Sequence, residues 1–172
     1  TPEGDFHFQE YLVQRQANDR VEKIYFKGIE NARPSLKFQS GLSQAEAVVL
    51  CPSSPLVSIG PILAIPGIRD KLKNICIPRI AVSPIVGGKV LKGPLTQMFN
   101  DLAIEVSAYS VAKFYQGIID TFIIDEVDAN LKDFIQKKLG IKVLVTNTVM
   151  KTEEDKVKLA AFLMRTCLPG GC

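Results

Sequence analysis

The chain has 172 residues, 47% of them hydrophobic and 23% charged, with a formal net charge of +3. That length and composition suit one domain with its own core, and so small a charge, with no run of Lys or Arg, argues against a nucleic-acid partner. The apolar runs are strand-length, well short of the ~20 residues that span a bilayer, and no charged-then-apolar leader opens the sequence, so no membrane association is expected.

The four cysteines, Cys51, Cys76, Cys167 and Cys172, form no C-x-x-C pair, and His7 is the single histidine. No zinc site is expected from this pattern. Cys51 and Cys76 sit inside apolar runs and read as reduced core residues, which points to a cytoplasmic setting.

In chain order, Phe6–Val13 (FHFQEYLV) is rich in aromatic and apolar residues and reads as a strand. A second strand over Val21–Phe26 (VEKIYF) would follow a turn at residues 17–20, making an N-terminal hairpin. A short helix is expected from Pro34. After Ala47 the rhythm changes: buried strands are expected at 47–51, 79–82, 121–124 and 142–145, with helices at 66–73, 94–102, 107–115, 129–139 and 153–164. Asp128 stands where an N-cap would, Gly140 where a helix-ending glycine would, and Thr152 precedes three acids suited to a first turn. Alternating strands and helices with continuous apolar strands predict an α/β fold: a Rossmann-like, mostly parallel sheet with helices on both faces, preceded by the hairpin-like segment. The expected division is 1–33 for that segment, 34–166 for the α/β region and 167–172 for a disordered tail. The chain begins at Thr1 and enters patterned sequence at once, as a piece of a longer protein would.

Parallel sheets bind ligands beyond the carboxyl ends of their strands. Two exit loops there have suitable chemistry. In the first, Pro52 precedes Ser53, Ser54 and Ser58, which offer hydroxyls, while Gly60 would let backbone approach a ligand near a helix N-terminus. A plain turn explains the same composition. In the second, Gly87, Gly88, Lys89 and Lys92 combine backbone freedom with two ammonium groups and suit a phosphate or diphosphate. Neither loop matches a Walker A motif, and no Gly-x-Gly-x-x-Gly is present, so a nicotinamide enzyme is poorly supported. His7 among aromatics fits a structural role better than a base. Asp125, Glu126 and Asp128 end the third core strand at the same edge, where either a metal or ribose contact or a solvated loop with a helix cap would account for them.

The segments HFQEYLV, CPSSPLVSIGPILAIPGIRDKL, AVSPIVGGKVLKGP, FIIDEVDA and LVTNTVM resemble, in the same order, those of the 2-phospho-L-lactate transferases of coenzyme F420 biosynthesis. The similarity runs from about His7 to Met164 and is to the C-terminal half of such a protein. The resemblance implies transfer of a phospholactyl or phosphoenolpyruvyl group from a guanosine diphosphate carrier to the deazaflavin Fo, releasing GMP, with Mg²⁺ required. It further implies that the loops 52–61 and 87–93 hold the diphosphate and nucleotide, and that His7 and Gln9 lie near the substrate cleft. The family's metal-binding aspartates belong to an N-terminal half that these residues do not include, so no metal ligand and no catalytic base is assigned here. Two positions depart from the pattern: Ser54 stands where an Asn is expected and Asn147 where an Asp is usual, which puts one amide contact and one carboxylate in doubt. A homo-oligomer is compatible with all of this. The second reading is a UDP-sugar-binding regulator of the related gluconeogenesis and morphogenesis-factor family, against which the second loop argues. The third is an inert or merely dimerising α/β half-domain.

Overall fold

A computed structural model describes residues 1–90 and 93–167. Its frame is a four-stranded sheet in the order β1 (Val48–Leu50), β2 (Arg79–Val82), β5 (Thr121–Ile124) and β6 (Lys142–Val145), every neighbouring pair parallel. Strands that follow one another in sequence lie side by side, so each connection is one crossover, as short helical crossovers require. The connections are α2 (Ile59–Ala64) with α3 (Ile68–Asn74), then α4 (Leu95–Asp101) with α5 (Ala108–Phe114), then α6 (Lys132–Leu139). Helix α1 (Leu36–Ser43) precedes the sheet, and α7 (Glu153–Cys167) follows it.

Side-chain alternation along the strands divides the core in two. Ala81, Phe122, Ile124 and Val143 point to one face and pack with residues of α3 to α6 such as Leu72, Phe99, Val111 and Ile135. Ile80, Val82 and Ile123 point to the other, where Phe162 and Leu163 of α7 cover them. Helices therefore lie on both faces, as the continuous apolar strands predict, and β5 is buried at every residue.

Local chemistry sets the helix ends. Ser35 and Ser107 accept the N–H groups of Phe38 and Ser110 as N-caps. Thr152 accepts from Asp155 N–H while Asp155 accepts from Thr152 N–H, a reciprocal capping pair that opens α7. Gly140 ends α6 with φ of 67°. Asp128 is not the cap expected of it. Asp125 takes that place, accepting Val127 N–H at 3.1 Å at the start of the 3-10 turn Glu126–Leu131.

The N-terminal hairpin is absent among the described residues. Residues 8–14 are helical, ending in a π-helical turn at Glu10–Gln14. Phe8, Tyr11 and Leu12 fall at helical spacing, and all three join one small cluster, a period that the aromatic content of the run obscures. Residues 21–26 take no regular secondary structure and pair with no strand; Val21 and Ile24 pack instead with Met98 of α4 and with Leu102, which follows that helix. The first 31 residues thus form a strap across the sheet domain. Two elements had no counterpart in the sequence reading: α2, and the antiparallel pair β3 (Ile85–Val86) and β4 (Lys89–Val90). Cys51 and Cys76 are exposed rather than buried, because each lies in a connection: Cys51 just past β1, and Cys76 between α3 and β2. Cys167, expected in a disordered tail, is the half-buried last residue of α7; residues 168–172 lie outside the described residues.

Candidate functional site

All four strands of the sheet are parallel, so their exit loops share one edge. The loop from β1 to α2 is organised by Ser54. Its hydroxyl accepts the N–H groups of Leu56 and Val57, each at 3.2 Å, and its carbonyl accepts those of Ser58 and Ile59. These bonds make Ser54 the residue that folds the turn. Ser53 and Ser58 make no side-chain hydrogen bond among the described residues, Pro52 is half-buried beside them, and Ser58 is exposed. Gly60 sits in the first turn of α2, where a Cβ would come within 2.6 Å of the Pro55 carbonyl oxygen and 3.4 Å of the Phe26 ring. The close approach that this glycine permits is therefore to the chain itself.

The second loop is a hairpin. Gly87 and Gly88 take φ of 58° and 71° between β3 and β4, the left-handed pair that a two-residue hairpin turn needs. Gly87 donates its N–H to the Asp128 carboxylate at 3.0 Å. That carboxyl is nearly enclosed, and burial is the main cause raising its pKa above the ordinary aspartate value; the neighbouring Asp125 charge adds to this, against the Gly87 hydrogen bond. Asp125 also accepts the N–H and the hydroxyl of Thr148, at 2.8 and 3.1 Å. The two aspartates thus tie the exits of β2, β5 and β6 together. Lys89 extends from the hairpin, exposed and without an ion pair among the described residues. Lys92 lies outside the described residues. Asn147 is exposed and accepts Val149 N–H.

Beside the first loop, the strap encloses a cavity of about 560 Å³. Phe6, Phe8, Tyr11, Tyr25 and Phe26 supply aromatic walls, while Val57 and Pro61 of the β1–α2 connection and Met98 of α4 supply body-side walls. His7 lines it too, and its Nδ1 accepts the N–H of Gln9; Gln9 itself is not part of the lining. Lys23 and Lys27 are among the residues that line it, and Asp5 accepts a hydrogen bond from the Tyr25 hydroxyl there. The structure therefore brings His7 to the same region as the first loop. The sequence reading did not find the aromatic walls; their signal was the concentration of Phe and Tyr in the first 26 residues. A mostly apolar cavity with a few charged groups suits a flat organic ligand with polar substituents.

No group of three or more His, Cys, Asp or Glu side chains is placed to hold a metal among the described residues. The buried carboxylates at the sheet edge are engaged by backbone N–H groups and a hydroxyl, so they offer no ready magnesium cage. No helix among the described residues is long and apolar enough to cross a membrane.

Comparison with known proteins agrees with the sequence resemblance. The family model for 2-phospho-L-lactate transferase CofD matches residues 1–163. The 2-phospho-L-lactate transferase of Methanocaldococcus jannaschii is 34% identical over 160 residues, which are 93% of this chain and 50% of that protein. That of Methanosarcina mazei is 33% identical over 165 residues, 96% of this chain and 54% of the relative. One from Methanococcus maripaludis is 35% identical over 157 residues. The chain spans about half the length of the curated relatives it matches. With its α/β architecture and a family match across nearly all of its length, the chain belongs to the 2-phospho-L-lactate transferase CofD family.

Proposed function

We propose that the chain serves the transfer of a phospholactyl or phosphoenolpyruvyl group from a guanosine diphosphate carrier to the deazaflavin Fo, with release of GMP. The observation that carries this reading is the aromatic cavity adjoining the β1–α2 loop at the carboxyl edge of a parallel sheet, in a chain of this family. The flat ring system of Fo would occupy the cavity, and the carrier's diphosphate would lie along the exit loops. A hydroxyl oxygen of the acceptor forms the new bond to the phosphorus that bears the lactyl group. The bond from that phosphorus to the bridging oxygen breaks, GMP leaves with the oxygen, and the hydroxyl proton passes to solvent.

Such chemistry asks the protein for position and for charge rather than for a covalent intermediate. Ser53 and Ser58 are the free hydroxyls of the first loop and would contact phosphate oxygens; Lys89 would add positive charge from the hairpin. Ser54, Gly87 and Gly88 would act by shaping the two loops. Magnesium, the expected companion of a diphosphate, is assigned to no described residue.

The test is the melting temperature of the chain with Mg²⁺ and, separately, GDP, UDP-N-acetylglucosamine and NADH. A ligand at 100 times its Kd adds about 2.7 kcal/mol of stability. A shift with GDP alone is expected. A shift with the UDP-sugar alone would favour the regulator, and no shift with GDP would remove the nucleotide from this half. Lys89→Ala should weaken GDP binding, measured by titration at low salt; an unchanged affinity would take Lys89 out of the site.

A further inference from the structure

The β1–α2 loop and the strap share a small core of their own. Leu56 and Val57 of the loop pack with Tyr11, Val21 and Met98 in a small cluster beside the main one, and Leu56 touches the main one as well. The strap's Phe26 meets the first turn of α2 at Gly60, the same point where the Pro55 carbonyl approaches from the other side. Several polar contacts of the strap are internal. Arg15 pairs with Asp19 and lies 4.1 Å over the Phe6 ring, and Tyr25 bonds to Asp5. Among the described residues, its polar tie to the body is the Val21 N–H, which donates to the Asp101 carboxylate at 2.9 Å. A segment bound largely to itself and seated on a satellite cluster opens at lower free energy than the domain beneath it.

We infer that the strap and the β1–α2 loop seat as one unit, with Phe26 on Gly60 as the joint, so that a flat aromatic ligand in the cavity and a nucleoside diphosphate on the loop each tighten the other's binding. This rests on the functional reading above and adds to it a coupling between its two ligands. The strap is one wall of the cavity, so the aromatic ligand binds only when the strap is seated. When the strap lifts, Val57 loses its packing and Leu56 keeps only its contacts with the main core, so the turn that presents Ser53 and Ser58 loses part of its support. Both ligands therefore favour the same seated state, and their effects on each other are equal by linkage. Phe26 is a positioning residue for the nucleotide: it reaches the loop through Gly60 and Pro55.

The experiment measures GDP affinity by calorimetry with and without saturating riboflavin, a probe for the flat tricyclic ring, and riboflavin affinity with and without GDP. Each ligand should tighten the other by the same factor, about fivefold or more. Phe26→Ala should bring that factor to one even where it weakens riboflavin directly, because the factor is a ratio taken within one variant; Phe26→Leu should restore part of it. A readout that needs no variant is hydrogen exchange over residues 1–31, which GDP alone should slow. If both ligands bind and the factor is one, the coupling is overturned while the functional reading stands. If neither binds, both fall. A factor unchanged in Phe26→Ala, or exchange in the strap indifferent to GDP, overturns the joint assigned to Phe26.

Discussion

Residues 121–124 and 21–26 both read as short strands in the sequence, and they come to opposite ends. The first becomes β5, with a parallel neighbour on each side and all four residues buried. The second takes no regular structure and pairs with no strand: Val21 and Ile24 pack with Met98 of α4, Phe26 lies against Gly60 of α2, and Tyr25 is exposed. An apolar run becomes a strand where a neighbour completes its backbone hydrogen bonds; elsewhere it is held by side chains alone, and with less cooperativity.

The sharpest way to break this contrast is to truncate one large side chain in each region. Phe122→Ala should cost about 3–5 kcal/mol in urea denaturation, because the cavity opens inside the sheet core. Tyr11→Ala removes a side chain that is 5% exposed, but its effect should remain in the strap: exchange protection over residues 1–31 falls while the main unfolding transition stays near wild type. Equal losses of global stability from the two variants would mean that strap and sheet unfold together.

A smaller effect tests how well the main core is satisfied. The Tyr115 hydroxyl is buried with no hydrogen-bond partner among the described residues, and burial raises its pKa well above the ordinary tyrosine value. Tyr115→Phe should therefore stabilise the protein, by about 1 kcal/mol, read as a higher denaturation midpoint; a lower midpoint would reveal a partner for that hydroxyl.

The smallest expected effect is the pH dependence from Asp128. Its pKa is raised in the folded state, so between the ordinary aspartate value and the raised one the folded chain holds a proton that the unfolded chain has released. Stability from this group falls as pH rises through that window and is greatest below it. Asp128→Asn should flatten the slope there. Asp155 has the opposite sign: the N–H and hydroxyl of Thr152, and the N–H of Lys151, lower its pKa, so its contribution is present at higher pH and is lost on acidification.

The sheet was legible because its evidence is local. Val48–Leu50, Arg79–Val82, Thr121–Ile124 and Lys142–Val145 are short, mostly β-branched or aliphatic, and bounded by turns, while Ser35, Ser107 and Thr152 cap α1, α5 and α7 and Gly140 ends α6. The strap was misread because two periods compete in its first run, and what decides between them, the packing surface of Met98 and Leu102, lies about 90 residues away in sequence. Helix α2 was hidden by its length of six residues and by Gly60 and Pro61 within it. At the site, the exit loops could be located from the strands before them. The use of their residues could not: Gly60 answers to Pro55 and Phe26, and Gly87 to Asp128, partners that only the folded chain brings near. The cavity joins segments from three parts of the chain and has no contiguous motif.

The bond from Gly87 to Asp128 has a consequence for how an anion would be held. With that N–H already committed, the hairpin has a long, hydrated ammonium on Lys89 to offer in place of a fixed backbone cradle. An ammonium on a flexible stem attracts by field more than by fit, and ions within a Debye length of about 8–10 Å screen it. Nucleotide capture on this side should therefore weaken steadily as salt is added. Under the proposed function its strength would be set by the ionic medium, while the hydroxyls of the first loop would set orientation.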